Sequence, residues 1–267
     1  SAASDVYKRQ AHSVRCYVSP KISDIILMGS ERIHLFDTPL LVSRNMGLAV
    51  DQRAAKRVMD ILISGIGIII TSPIMLIIAI AVKAYDRGPV FYFQDRLTLG
   101  GKPFKICKFR SMCVDSEKNG ARLASKHDSR ITPVGHVLRN LHLDELPQLF
   151  NVFKGDMSLV GPRPERESIM LEYEKELPEF YYRLKVKAGL TGYAQVYGKY
   201  NTTPYDKLKL DLFYIENYSF LLDIKLIFMT VKIFFQKEVS EGVDDRQVNA
   251  LKDSGKNVGV SENKTEE

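Results

Sequence analysis

The feature that most constrains this chain is an uncharged apolar segment, residues 61–82, which includes the run "IIITSPIMLIIAI". Its 22 residues meet the length that a helix needs to cross the hydrocarbon of a bilayer. Pro73 lies near its middle, where it removes one backbone donor and clashes with the preceding turn. We therefore expect a membrane helix that kinks or breaks near Ser72, whose hydroxyl can bond a carbonyl group that the proline leaves free.

The charges around this segment favour a helix that turns back over one that spans. Arg53, Lys56 and Arg57 precede the segment, and Lys83 and Arg87 follow it. Since Lys and Arg accumulate on the cytoplasmic side of spanning helices, two basic flanks predict that both ends face the cytoplasm. Two alternatives stay open: a straight spanning helix that tolerates its proline and, less favoured, a soluble core helix that is buried on every side.

The composition narrows the class of protein. A chain of 267 residues with 45% hydrophobic content can bury one substantial core. The net charge of +6 suits an anionic surface or anionic ligands, but no nucleic-acid motif accompanies it, so we expect no nucleic-acid partner. The cysteines, Cys16, Cys107 and Cys113, form no CxxC pair, which favours buried thiols in a reducing compartment.

The two ends of the chain differ from its centre. The opening "SAASDVYKRQ" lacks an initiator Met, and residues 21–42 alternate short apolar runs such as "DIILM" and "PLLV" with polar breaks. We expect one or two strands there and interpret residues 1–50 as a fragment or tail of a preceding domain. Residues 239–267 are highly charged and poor in large apolar side chains, which predicts a disordered tail.

A basic strand follows the apolar segment. In "FKICKFR", strand alternation places four residues on one face, namely Phe104, Ile106, Lys108 and Arg110. Two cations, Lys108 and Arg110, side by side on a half-buried face suit the binding of a phosphate group. A basic edge that touches lipid headgroups is an equally good interpretation.

Two helices are predicted beyond this strand. Thr132 before Pro133 is a helix start, and "LDELPQLFNVF" predicts a second helix that Asp144 caps. The predicted apolar face of the first helix consists of Val134, Val137, Leu138 and Leu141, with Arg139 projecting elsewhere. The residues expected to turn inward from the second are Leu146, Leu149, Phe150 and Phe153.

Asp144 and Glu145 are adjacent acidic residues. Neighbouring side chains on a helix diverge by about 100°, so these two should not share one proton. We predict a division of labour in which one carboxylate attacks and the other holds a metal ion. A helix N-terminus at Asp144 would favour its ionised form and nearby phosphate oxygens. The alternative is an N-capping aspartate beside a solvated glutamate.

The motif "GPRPE", residues 161–165, holds Arg163 between two prolines with fixed φ angles. This arrangement orders a guanidinium for bidentate contact with phosphate or carboxylate. A surface loop with an idle arginine is the competing interpretation.

Together, in this order, these motifs resemble the bacterial sugar transferase family, the polyprenyl-phosphate sugar-1-phosphate transferases that start exopolysaccharide, O-antigen and capsule synthesis. The resemblance covers residues 53–235. It is carried by "KRVMDI", Ser72 with Pro73, "GPVFYFQDR", "KFRSM", "RITPVGHVLRNLHLDELPQLFNVFKGDMSLVGPRPE" and "AGLTGYAQV". The chain departs from the family pattern at Thr98, where members commonly have glycine, and at Ala188, where they commonly have proline.

The resemblance implies transfer of a sugar phosphate from a UDP-sugar to undecaprenyl phosphate, with release of UMP, at the cytoplasmic face of the bacterial inner membrane. It implies that Asp144 is the nucleophile, which carries a phospho-sugar ester, and that Glu145 is a ligand of Mg²⁺. The other implied roles are phosphate binding by Arg110 and Arg139, nucleotide contact by Arg163, and a break in a re-entrant helix at Ser72 and Pro73.

The expected fold is α+β and mainly helical. It has a re-entrant membrane helix over residues 51–84 and a small cytoplasmic catalytic domain with a short β element over residues 85–238. Amphipathic helices over residues 208–235 are expected on the membrane surface. Residues 1–50 resemble the end of the regulatory domain of longer family members, for which a homodimer is plausible.

Two other functions fit the same sequence features. One is a membrane-bound glycosyltransferase that releases UDP, and the other is a non-catalytic membrane adaptor of polysaccharide assembly. The sequence does not identify the sugar.

Overall fold

A computed structural model describes residues 19–35, 38–42, 47–114, 128–198 and 202–234. The chain separates into two compact units, Ser1–Arg44 and Asn45–Glu267. The predicted tail over residues 239–267, the opening decapeptide and Cys16 lie outside the described residues.

The first unit contains a short helix and a hairpin. Helix α1, Ile22–Met28, precedes the antiparallel strands β1, Glu31–Leu35, and β2, Thr38–Val42. The strand prediction is confirmed for "PLLV", whereas "DIILM" lies in α1. A helix forms there instead of a strand, because Ile22 and Ile25, three residues apart, are both buried on one helical face.

The second unit is mainly helical and contains small two-stranded sheets, as expected. Its helices are α2, Val50–Asp86; α3, Pro133–Asn140; α4, Gln148–Lys154; α5, Glu167–Glu176; α6, Tyr193–Tyr197; α7, Pro204–Glu216; and α8, Phe220–Phe234. Its strands are β3, Phe91–Leu97; β4, Pro103–Phe109; β5, Ser158–Val160; and β6, Gly189–Thr191. Its 3₁₀ helices are Leu99–Gly101, Leu143–Glu145 and Pro178–Lys185. Strands β3 and β4 form an antiparallel hairpin, while β5 and β6 are parallel.

The long helix α2 runs without interruption through Ser72 and Pro73. Its 37 residues extend about 55 Å at the usual helical rise. Pro73 cannot donate to the carbonyl of Ile69, and the Ser72 hydroxyl donates to that same carbonyl at 2.8 Å. The expected local repair is therefore confirmed, while the secondary structure has no break. A bend of the axis within the continuous helix stays a prediction.

Most of the apolar surface of α2 is exposed. Among the described helices, α2 alone is long and apolar enough to cross a membrane by length and composition. Only 17% of its most apolar window is buried. A soluble core helix would be covered on all sides, so this exposure argues against that alternative.

One face of α2 contacts the rest of the unit along its whole length. Near its start, Arg57 donates hydrogen bonds to the carbonyls of Val152 and Phe153 at the end of α4, both at 2.8 Å. Further along, Gly65 and Gly67 face the side chains of α4. A cluster then packs the second half of α2 against β4 and α3; it consists of Met75, Ile78, Val82, Phe109 and Leu138.

The start of α3 follows its sequence signal, but the predicted apolar faces are only partly correct. Thr132 caps α3 by accepting from the backbone N–H of Gly135 at 2.9 Å. Leu138 is buried, whereas Val137 and Leu141 are exposed. In α4, Phe150 and Phe153 are each 47% exposed and Val152 is fully buried, so the predicted inward positions of both phenylalanines were wrong.

A buried polar network fixes the start of α2 to the last two helices. The Lys56 ammonium donates to the Asp223 carboxylate at 2.5 Å and to the Tyr214 hydroxyl at 3.1 Å. Tyr214 in turn donates to Asp223 at 2.7 Å. Because Lys56 and Asp223 are both buried, each group depends on its partners for compensation.

We expect Asp223→Ala to lower the free energy of unfolding by about 3–5 kcal/mol, because it leaves the Lys56 charge buried without a partner. Denaturant titration in neutral detergent measures this change. The matched control is Asp95→Ala on the exposed edge of β3, expected to change it by about 0.5 kcal/mol or less. Equal effects of the two substitutions would contradict the role of the network.

Candidate active site

Asp144 and Glu145 lie in the 3₁₀ helix Leu143–Glu145, between α3 and α4. The turn follows His142, whose φ of 51° lies in the left-handed region that non-glycine residues rarely adopt. The prediction that Asp144 caps the following helix was wrong, because the residue before α4 is Pro147. After the reversal at His142, the Glu145 carboxylate reaches Lys108 on β4 and Arg163 in the loop after β5.

Glu145 is held by two cations. The Lys108 ammonium lies 2.6 Å and the Arg163 guanidinium 3.0 Å from the same carboxylate oxygen, Oε1. Burial alone would raise the pKa of Glu145, but Arg163 and Lys108 outweigh it and hold the pKa far below its usual range. Glu145 is therefore a fixed anion that bridges β4 and the "GPRPE" loop.

Asp144 lies in a different environment although it is the next residue. Within the described residues, no hydrogen bond reaches its side chain, in contrast to Glu145. Burial and then the charge of Glu145 raise the pKa of Asp144, against the opposing effects of Lys108 and Arg139. The expected stabilisation of its ionised form by a helix N-terminus is thus not the dominant effect. The two carboxyl groups therefore differ in their surroundings, while the predicted division of labour between them stays a prediction.

Arg110 is not part of this cluster. Its guanidinium forms a bidentate ion pair with Asp86 at the end of α2 and donates to the Pro89 carbonyl at 2.7 Å. Gly88 permits the contact, because a Cβ there would lie 2.7 Å from the guanidinium. The strand ends at Phe109, so Lys108 and Arg110 diverge and are not the predicted pair of neighbouring cations. Phosphate binding by Arg110 stays a prediction.

The short parallel sheet fixes the position of the loop that carries Arg163. Gly161 donates from its backbone N–H to Thr191 at 2.8 Å, and Gly189 donates to Pro162 at 2.9 Å. A Cβ on Gly161 would lie 2.4 Å from the carbonyl of Lys187, so only glycine permits this approach. In the sequence, "AGLTG" contributed to the family resemblance but indicated no specific role. In the fold, its backbone holds the loop that carries Arg163.

Glu165 is the important residue that sequence analysis missed. Its carboxylate accepts from Lys207 at 2.8 Å and from Arg183 at 3.4 Å. Arg183 also donates to the Arg163 carbonyl at 3.1 Å, and Arg96 donates to the Pro164 carbonyl at 3.1 Å. These residues are distant in sequence, so no spacing pattern could have indicated them. Together they fix the backbone on both sides of Arg163.

The acidic groups provide few ligands for a metal ion. Across the parts of the chain that the structure describes, no group of three or more His, Cys, Asp or Glu side chains is arranged to hold one. Both cations on Glu145 bond Oε1, so its second oxygen has no hydrogen-bond partner among the described residues. This donor set fits Mg²⁺, which keeps several waters and commonly takes one or two carboxylates together with substrate phosphates.

A family model described as bacterial sugar transferase matches residues 51–237. The chain is 46% identical over 180 residues to the UDP-N-acetylgalactosamine-undecaprenyl-phosphate N-acetylgalactosaminephosphotransferase of Aeromonas hydrophila, covering 66% of this chain and 43% of that protein. It is 43% identical to the UDP-glucose:undecaprenyl-phosphate glucose-1-phosphate transferase of Klebsiella pneumoniae, covering 74% of this chain and 42% of that protein. It is also 37% identical to a protein of the same name from Caulobacter vibrioides, covering 81% of this chain and 84% of that protein.

The chain therefore spans less than half of the length of the Aeromonas and Klebsiella relatives. The family match, residues 51–237, contains nearly all of α2 and the Asp144–Glu145 cluster.

We expect Glu165→Gln to make the free energy of unfolding depend less steeply on pH in the acidic range. Lys207 and Arg183 overcome the effect of burial and lower the pKa of Glu165 from 4.5 to about 2. The stabilisation is complete above pH 4.5 and is lost as the pH falls toward about 2. The difference in unfolding free energy between the native chain and the variant should shrink by up to about 3 kcal/mol across that window.

Denaturant titrations on either side of this window, in neutral detergent, measure the difference. Glu176→Gln, at the exposed end of α5, is the control and should leave the pH dependence unchanged. A Glu165→Gln variant that loses stability in acid as steeply as the native chain would contradict the ion-pair assignment.

Proposed function

This chain belongs to the bacterial sugar transferase family, and from that membership and the site geometry we propose that it transfers a sugar 1-phosphate from a UDP-sugar to undecaprenyl phosphate and releases UMP. The observation that carries the proposal is the contrast between the two adjacent acids. Glu145 is held by two cations, whereas Asp144 has no hydrogen-bond partner among the described residues. The reaction would begin the synthesis of a surface polysaccharide.

The contrast supports a nucleophilic role for Asp144. The Glu145 carboxylate is a weak nucleophile, because its hydrogen bonds to Lys108 and Arg163 stabilise its negative charge. Asp144 has a raised pKa and therefore, once ionised, a more basic and more nucleophilic oxygen. Covalent catalysis divides transfer between two bulky substrates into two displacements at one site.

In the first displacement, an Asp144 oxygen attacks the phosphorus next to the sugar. A carboxylate–phosphorus bond forms, the phosphoanhydride bond breaks, and UMP leaves with the bridging oxygen and its electron pair. In the second, a phosphate oxygen of undecaprenyl phosphate attacks the same phosphorus. The bond to Asp144 breaks, the carboxylate is regenerated, and the sugar remains on a lipid diphosphate.

The surrounding cations would stabilise the charge of the diphosphate. Lys108 and Arg139 lie close enough to Asp144 to affect its titration. Arg163 is half exposed and uses one donor on Glu145, so its remaining N–H groups can contact the nucleotide. Glu145 would hold Mg²⁺ through its second oxygen, and the bound ion would neutralise charge on the diphosphate.

The placement of the apolar surfaces supports a site at the membrane interface. The exposed face of α8 carries Leu221, Phe228 and Val231, while its Asp223 is buried in the unit. Such a helix suits the predicted position on the membrane surface. Both ends of α2 contact the same folded unit through Arg57 and Asp86, which supports a helix that enters and leaves on one side. We assign that side to the cytoplasmic face of a bacterial inner membrane, because UDP-sugars are found in the cytoplasm.

Two competing functions predict different products. A glycosyltransferase would transfer the sugar without its phosphate and release UDP. An adaptor for polysaccharide assembly would bind lipid and partners without turnover. The relatives named above differ in their sugars, N-acetylgalactosamine and glucose, so the sugar of this chain stays open.

We expect Asp144→Asn to lower turnover at least about a thousandfold, as removal of a nucleophile does in other covalent enzymes. The assay incubates the chain with each radiolabelled UDP-sugar in turn, first without lipid acceptor. It then maps any labelled peptide and identifies UMP or UDP as the released nucleotide. Asp95→Asn is the control and should retain full activity. UDP as product, label on a peptide without residue 144, or unchanged turnover would each overturn the mechanism.

We expect the two ends of α2 to be accessible from the same side of the membrane. Cysteines introduced at Ala55 and Ala84, in a chain without its native cysteines, are tested with an impermeant thiol reagent. In intact spheroplasts both positions should resist labelling, and in lysed spheroplasts both should react. Labelling of one end alone in intact spheroplasts would establish a spanning helix instead.

A further inference from the structure

A cavity of about 440 Å³ lies beside the first turns of α2. Its α2 wall contains Arg53, Lys56, Arg57 and Asp60, which share one helix face, and its opposite wall includes residues 184–187. It shares no lining residue with the Asp144–Glu145 cluster. Its volume falls within the range of about 300–1,000 Å³ that is usual for ligand sites.

The cavity carries an excess of positive charge. Arg57 donates to the carbonyls of Val152 and Phe153, and Lys187 donates to the Gly155 carbonyl at 2.8 Å. These acceptors are neutral, so both cations retain their charge. Arg53 has no carboxylate partner among the described residues.

The described lining contains one acid, Asp60, whose charge offsets only one of the surrounding cations. Asp60 accepts from the Ser158 hydroxyl and the Leu159 N–H, both at 3.0 Å. The buried ion pair with Asp223 neutralises Lys56. Burial and the nearby charge of Arg57 lower the pKa of Lys187, although Asp60 and Asp156 act in the opposite direction. The missing partner is therefore an anion.

The position of the cavity identifies the source of that anion. Asp60 directly precedes the apolar segment, residues 61–82, so its turn lies at headgroup depth whenever that segment is in a bilayer. An acyl chain attached to a group in the cavity can then follow the exposed apolar face of α2.

We propose that this cavity binds the phosphate group of an anionic membrane lipid, as a site separate from the one at Asp144. Arg53 and Lys187 provide the charge, and Arg57 adds the part of its guanidinium that is not used on carbonyls. A soluble phosphate ester presents the same anion, but it lacks the chain that the apolar face can accept. The inference requires only that α2 is inserted, and it does not depend on the transfer reaction.

The test titrates the full chain in neutral detergent with phosphatidylglycerol and, separately, with phosphatidylcholine, and follows bound lipid by native mass spectrometry. The Arg53→Gln, Lys187→Gln double variant should bind phosphatidylglycerol at least about tenfold more weakly, since two charged contacts are lost. Glutamine at position 187 can still donate to Gly155, and thermal unfolding verifies that the variant is folded.

A second double variant, Lys105→Gln with Lys175→Gln, removes the same charge from exposed positions and should bind within about twofold of the native chain. Equal binding by the Arg53, Lys187 variant and the native chain would overturn the proposal, as would equal binding of the two lipids. Glycerol phosphate forms a third arm. If it displaces phosphatidylglycerol at comparable concentrations, the occupant is a soluble ester and the lipid assignment fails.

Discussion

The contact of one folded unit with both ends of an apolar helix is the constraint on which the rest of this structure depends. Arg57 at one end bonds α4, and Asp86 at the other bonds Arg110 after β4. A helix that spans the hydrocarbon separates its ends by about 30 Å of lipid, which a single polar unit on one side cannot bridge. This contact supports our proposal that the unit stays against one leaflet, with the exposed face of α2 directed to lipid. In that proposed arrangement, a chemical site on the unit would be held at headgroup level, where a water-soluble substrate and a lipid phosphate could meet.

The same packing determines which acid at the site is held by cations. Lys108 reaches Glu145 because the β3–β4 hairpin rests on the second half of α2 and on α3. Arg163 reaches it from the opposite side because β6 holds the loop after β5. Two cations from separate elements converge on one carboxylate and leave its neighbour, Asp144, without a hydrogen bond among the described residues. The chemical difference between two adjacent acids is thus produced by tertiary structure, since their side chains have similar intrinsic acidities.

Sequence patterns predicted the features that depend on local chemistry. Two such features follow from short-range geometry, and both are present. Thr132 caps α3, and the Ser72 hydroxyl donates to the carbonyl that Pro73 cannot reach. The errors concern long-range contacts. Arg110 was expected beside Lys108 on one strand face, but the strand ends one residue earlier and the Arg110 guanidinium pairs with Asp86. Phosphate binding by Arg110 itself stays a prediction. Glu165 received no role, because its partners come from three separate parts of the chain. Motif order identified the family, whereas the supports of the site required three-dimensional structure.

The two departures from the family pattern have a common explanation in these long-range contacts. The backbone N–H of Ala188 donates to the Thr98 hydroxyl at 3.2 Å, and that hydroxyl donates to the Asp156 carbonyl at 3.0 Å. Proline at position 188 has no backbone N–H, so it needs no acceptor from position 98. Glycine at position 98 would then leave no N–H at position 188 without a partner. With alanine at 188, a buried N–H without an acceptor would cost about 1–3 kcal/mol, and Thr98 supplies that acceptor. Thr98 and Ala188 thus complement each other in this structure, and their hydrogen bond fixes the backbone that leads into β6 and holds the Arg163 loop.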